Sequence, residues 1–158
     1  MAILFDDFLT IVPDEHKDFV SSLHEQLSAQ GCTIIIKEAK NGYAVSYKCG
    51  NKSVMNWVFR KSGVLARIYG DHVTQYQNVI TELPADMQKK MTASRDCARL
   101  YDPSACSPVC VMGFVYDLAG ETHKKCRNDG MFFLLSETTA PHIEKIVMNE
   151  VAARQTSA

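Results

Sequence analysis

Thr33-Ile-Ile-Ile-Lys-Glu-Ala-Lys-Asn-Gly-Tyr-Ala-Val-Ser-Tyr-Lys-Cys49 is the stretch on which the fold turns. Its opening Thr33 to Ile36 is β-branched and apolar, a composition that fits a pleated, half-buried surface. Asn41-Gly42 supplies the positive φ that a tight hairpin turn needs. Beyond the turn, Tyr43, Val45 and Tyr47 alternate with Ala44, Ser46 and Lys48, as in a strand with one dry and one wet face. The pattern continues through Ser53 to Arg60, a turn at Lys61-Ser62-Gly63, and Val64 to Tyr69. Four antiparallel strands joined by short turns are the economical reading.

Helices flank this meander. Asp14 follows Pro13 and can accept from orphan backbone N–H groups. Phe19, Val20, Leu23 and Leu27 then recur at helical spacing, and Gly31 ends the segment. After the strands, Asp71 to Glu82 carries Val73, Tyr76, Val79, Ile80 and Leu83 on one side. Pro84 ends or restarts that helix, and Met87 and Met91 continue its apolar face. The segment 95–110 holds three cysteines, Asp102-Pro103 and Ser107-Pro108 without a regular period, so it reads as a Cys-rich loop. Strand patterns resume at Val111 to Leu118, Glu121 to Arg127 and Met131 to Ser136. A last helix spans Ala140 to Arg154, with Pro141 in its first turn and Ile143, Ile146, Val147 and Val151 as its stripe. Gln155 to Ala158 is expected to fray.

The fold class is therefore α+β, with antiparallel meanders packed against about three to four helices in one domain, 1–158. Gly42-Tyr-Ala-Val-Ser-Tyr47 is echoed by Gly113-Phe-Val-Tyr-Asp-Leu118, and Arg60-Lys-Ser-Gly-Val-Leu65 by Arg127-Asn-Asp-Gly-Met-Phe132. Two related helix-plus-meander halves, 14–83 and 84–154, would account for the echo. Shared turn glycines and aromatic strands would account for it equally.

Composition narrows the function classes. The chain has 158 residues, 46% hydrophobic and 22% charged, which excludes disorder, collagen-like repeats and coiled coil. A net charge of -1 disfavours a general nucleic-acid or anionic-membrane binder. No apolar run nears the roughly 20 residues that span a bilayer. Asp6 and Asp7 interrupt an N-terminus that lacks a basic start, making it a poor secretory signal. The expected location is the cytoplasm, where structural disulfides are disfavoured and clustered cysteines serve more often as metal ligands or reactive thiols.

Cysteine is the one unusual residue. Cys97-x8-Cys106-x3-Cys110-x15-Cys126 gathers four thiols within thirty residues, while Cys32 and Cys49 stand apart. Four thiolates can occupy the corners of a structural zinc site. Cys106 and Cys110 would supply two corners from one turn stiffened by Pro108, and Cys97 and Cys126 the others. Arg95, Arg99, Lys124, Lys125 and Arg127 would offset the thiolate charge. The spacing matches no standard finger or ribbon, and the alternatives are unliganded core thiols, a disulfide if the chain is not cytoplasmic, or a redox pair. Such a zinc would support the fold, since four thiolates leave no open position for water.

Other chemistry is sparse. No Ser/His/Asp order, HExxH helix, phosphate-binding loop or dinucleotide fingerprint is present. His16 and His24 read as surface residues of the first helix. His72 and His142 each stand near a helix start, where an imidazole can face an anion, and His123 could replace a thiolate. Trp57, Arg60, Arg67 and Tyr69 sit on adjacent strands and can hold an anionic or planar ligand by bidentate bonding and stacking.

The leading expectation is a non-catalytic ligand-binding or interaction domain supported by zinc, with a small molecule or protein as partner and an edge strand that would suit a homodimer. The runner-up is a thiol-dependent redox protein or enzyme using Cys106 and Cys110 with His123 as base. A nucleic-acid-associated regulator using Arg95, Arg99 and Lys124 is the third.

Overall fold

The meander forms as its alternation dictates. In a computed structural model that describes residues 3–107 and 110–156, β1 (Thr33–Ala39), β2 (Gly42–Cys49), β3 (Lys52–Arg60) and β4 (Gly63–Ile68) pair antiparallel in sequence order. Val45 and Tyr47 are each 1% exposed, while Ala44 and Lys48 between and beside them face water. Gly42 has φ +119°, which favours glycine at the hairpin turn, and a Cβ there would also push the tip of Ile11, 2.7 Å away.

One face of the sheet is covered by two long helices, α2 (Asp14–Ala29) and α6 (Ala140–Thr156). Val20, Leu23 and Leu27 of α2 and Ile143, Ile146, Val147 and Val151 of α6 are all buried, as their periods require. They close over Val45, Tyr47, Met55, Trp57, Ala66 and Ile68 in one continuous core. Phe19 meets the Trp57 ring edge-on, with centroids 6.4 Å apart. Among the described residues no helix covers the opposite face of the sheet, whose register sets small, apolar and basic residues side by side: Ile35 pairs with Ser46, Ser46 with Asn56, and Asn56 with Arg67.

The remaining helices are short. The apolar N-terminal stretch forms α1 (Phe5–Leu9), whose Phe8 is wholly buried. The expected helix over 71–82 divides into a 3-10 turn at Val73–Tyr76 and α3 (Gln77–Thr81), followed after Pro84 by α4 (Ala85–Thr92). Met87 and Met91 do continue the apolar face. Within the Cys-rich segment, α5 (Ala98–Tyr101) makes a single turn.

The second half departs from a simple meander. β5 (Phe114–Leu118) and β6 (Glu121–Lys125) form a separate two-stranded sheet, and β7 (Phe132–Leu134) leaves them to pair with β4. The order of the large sheet is β1-β2-β3-β4-β7. The two echoing stretches thus share turn residues but not a pairing order. Ala66 opposite Phe133 and Arg67 opposite Phe132 give β7 its place, a pairing between residues far apart in sequence.

Cys32 and Cys49 correct the expectation of unpaired thiols: they form a disulfide. Thr33 faces Lys48 across β1 and β2, so one further step brings the two cysteines opposite each other with Cα atoms 4.4 Å apart. A bond closing a loop of this size contributes about 3 kcal/mol by restricting the unfolded chain. Cys32→Ala/Cys49→Ala protein should therefore unfold at lower urea concentration by about that free energy, with the four other cysteines unchanged in thiol titration.

One polar cluster crosses the core boundary. Glu150 on α6 is 0% exposed, within the very stripe that carries Val147 and Val151. Its carboxylate accepts from the His72 backbone N–H at 3.0 Å, Tyr76 Oη at 2.6 Å and Arg154 Nε at 2.8 Å, and pairs with His72 Nδ1 at 2.8 Å. Burial first, and the Glu150 charge second, push the Tyr76 hydroxyl far above its ordinary range. Arg154 continues to Tyr69 O and Asp71, and Asp71 also pairs with Arg127. The anion at the His72 helix start is thus the protein's own carboxylate. His24 is likewise no surface residue. It stacks on Phe5 with ring centroids 3.8 Å apart and bonds Tyr47 Oη at 2.9 Å, and burial lowers its pKa.

Candidate metal centre

The four free cysteines come from three separate pieces of chain, and backbone pairing draws those pieces together. Asp96 forms an isolated antiparallel bridge with Lys125. Cys97 N donates to Lys124 O at 2.9 Å, and Cys126 N donates to Arg95 O at 2.8 Å. Cys97 and Cys126 are therefore diagonal neighbours on the same side of the bridge, opposite Asp96 and Lys125. Lys125 locks the arrangement from beneath. Its buried ammonium donates to Thr92 O, Ser94 O and Asp96 Oδ1 at 2.8 to 3.0 Å.

The third piece is the loop containing Cys106 and Cys110. Arg99 holds it by donating to Ser107 O at 2.8 Å and Cys110 O at 3.4 Å. Cys106 adopts φ +65°, a left-handed conformation uncommon outside glycine, and reverses the chain there. Pro108, expected to stiffen this turn, lies outside the described residues. Gly113 then brings the loop's exit against the bridge. A Cβ at this position would lie 1.8 Å from Lys125 O, so only glycine permits the approach. The Gly113 N–H donates to Cys97 Sγ at 3.4 Å.

All four thiols line one cavity of about 610 Å³, together with Arg95 and Arg127. Desolvation raises the Cys110 thiol, and the neighbouring Cys106, together with the charges of Cys97 and Cys126, raises it further. Four ionised sulfurs this near each other repel, and a divalent cation would reverse the sign of that effect. Among the described residues, no group of three or more His, Cys, Asp or Glu side chains is arranged to hold a metal ion. The thiols share a cavity without standing at coordination distance.

The other candidates separate. His123 stacks on Tyr116, with centroids 5.3 Å apart, and does not line the cysteine cavity. The ring of Trp57 is 1% exposed and packs toward α2. Trp57, Arg60 and Arg67 together line a second groove of about 610 Å³ across β1 to β4, although little of the Trp57 ring is exposed there. Arg67 lies 4.7 Å over the Phe132 ring and donates to Asn128 O at 2.8 Å. Tyr69 lines the cysteine cavity instead, with Arg127 4.3 Å over its ring and Asn56 Nδ2 donating to its hydroxyl at 2.8 Å. Within the basic cluster of the third reading, Arg95 pairs with Asp129, Arg99 serves the loop, and Lys124 lies 5.0 Å over Tyr101.

Comparison with protein-family models, curated proteins and solved structures found no match. Among the described residues, no helix is long and apolar enough to cross a membrane.

Proposed function

We propose that the chain is a non-catalytic binding domain in which Cys97, Cys106, Cys110 and Cys126 take up a structural zinc ion. The observation that carries this reading is that four thiols from three chain segments line one cavity. A tetrahedral ion would tie the loop to the Asp96–Lys125 bridge with about 2.3 Å zinc–sulfur bonds, drawing the sulfurs inward from their separated positions. It would also offset the mutual repulsion of four ionised sulfurs. The cytoplasm is part of the proposal, with the Cys32–Cys49 bond as an exception to the usual reduced state there.

Purified protein should contain one equivalent of zinc. Under native conditions its four free thiols should resist alkylation until a strong chelator is added. A chain with less than a tenth of an equivalent that also fails to take up added zinc would refute the proposal. Fast alkylation of Cys106 or Cys110 in the zinc-loaded protein would favour the redox reading instead.

A further inference from the structure

The helix-free face of the large sheet is strongly polarised in charge, although the whole chain carries a net charge of only -1. Its groove is lined by Lys37, Lys40, Lys48, Arg60 and Arg67, and by no aspartate or glutamate. Among the described residues, none of these five cations has a carboxylate partner. Lysine on the edge strand β1 can discourage edge pairing, but Lys48, Arg60 and Arg67 lie on β2, β3 and β4.

The strand register spaces these charges. Along β2, Lys48 occupies one level, Arg67 stands at the level of Ser46 through Asn56, Lys37 at that of Ala44, and Arg60 opposite Gly63 lies at that of Gly42. Each level is two residues from the next, about 7 Å, so the four charges extend over roughly 20 Å along the strands. A small ligand with one anionic group would engage only one or two of them. A polymer with a charge on every unit can engage all four.

The floor between the cations is made for flat groups. Ile35, Ala44 and Val58 supply apolar surface, and Arg67 lies stacked on Phe132 as a planar platform. Asn56 lies on this floor, its Nδ2 donating to the Tyr69 hydroxyl at 2.8 Å. Nucleobases offer flat stacking faces, which aspartate and glutamate side chains lack. We infer that this face binds single-stranded nucleic acid, with phosphates on the lysines and arginines and bases over Ile35, Val58 and the Arg67–Phe132 pair. The inference deepens the binding-domain reading by naming its partner. Its readout is oligonucleotide, not metal, so either can fail alone.

The test is fluorescence anisotropy of zinc-replete full-length protein with labelled 20-mers of oligo(dT) and oligo(U), from 25 to 200 mM salt. Four phosphate contacts predict a log–log salt slope of about -3, from roughly 0.7 per contact on single strands. Lys48→Gln/Arg60→Gln removes two exposed charges without touching the core, and should weaken binding at least tenfold at low salt and cut the slope to about half. Arg67→Lys keeps the charge and loses the planar stack, so it should weaken affinity while leaving the slope nearly unchanged. Binding of either strand supports the inference, and the tighter one identifies the sugar. No binding at 25 mM salt, binding that Lys48→Gln/Arg60→Gln leaves intact, or equal competition by polyglutamate would overturn it.

Discussion

Replacing Glu150 by alanine is expected to cost about 3–5 kcal/mol of folding stability, the range for breaking a buried charge cluster from one side. The substitution leaves the His72 N–H, Tyr76 hydroxyl and Arg154 guanidinium without their shared acceptor. Tyr76 is 3% exposed, so its hydroxyl gains little water in exchange. Domains of this size have roughly 5–15 kcal/mol in total, so the variant should lose a large part of its margin. Urea denaturation followed by far-UV circular dichroism checks it. Glu150→Gln keeps the shape and one acceptor oxygen, and should fall between the variant and the parent. A Glu150→Ala midpoint equal to that of the parent chain would mean that α6 is held by its apolar stripe alone.

Trp57→Ala is the second large effect, also about 3–5 kcal/mol. The ring is one of the largest fully buried side chains, packed against Phe19 beneath both long helices. The cavity left by the indole adds to the lost burial. The result separates two roles that sequence alone assigned together. Arg60→Ala lies on an exposed strand end and should change stability by less than about 0.5 kcal/mol. If Trp57 belonged to a ligand surface with Arg60, the two substitutions would have similar, small effects on the urea midpoint.

Local patterns in the sequence carried the elements, because local physics decides them. The period of Val20, Leu23 and Leu27 needs only the helical repeat, and the alternation from Tyr43 to Lys48 needs only the pleat. The division of cysteines into four and two was legible for the same reason. What escaped depends on partners distant along the chain. β7 reads as the end of a second meander until β4 offers it an edge. Cys32 and Cys49 look isolated until the register of β1 and β2 places them opposite each other. Glu150 interrupts an apolar stripe in a way that only His72, Tyr76 and Arg154 make sense of. Net charge is an average over the whole surface, so it could not show that one groove is lined by cations and no carboxylate.

The position of β7 has a consequence for how the chain is made. The edge of the main sheet and the helix that seals its core, residues 132–156, leave the ribosome after the strands and helix they complete. Synthesis at about 5–20 residues per second means several seconds in which the first four strands exist with one face only half covered. During that interval Trp57, Ala66 and Ile68 lack α6, and the Glu150 donors lack their acceptor. Completion of the fold must therefore wait until residues 132–156 have emerged, and a nascent chain stalled before residue 130 should be held by chaperones or degraded.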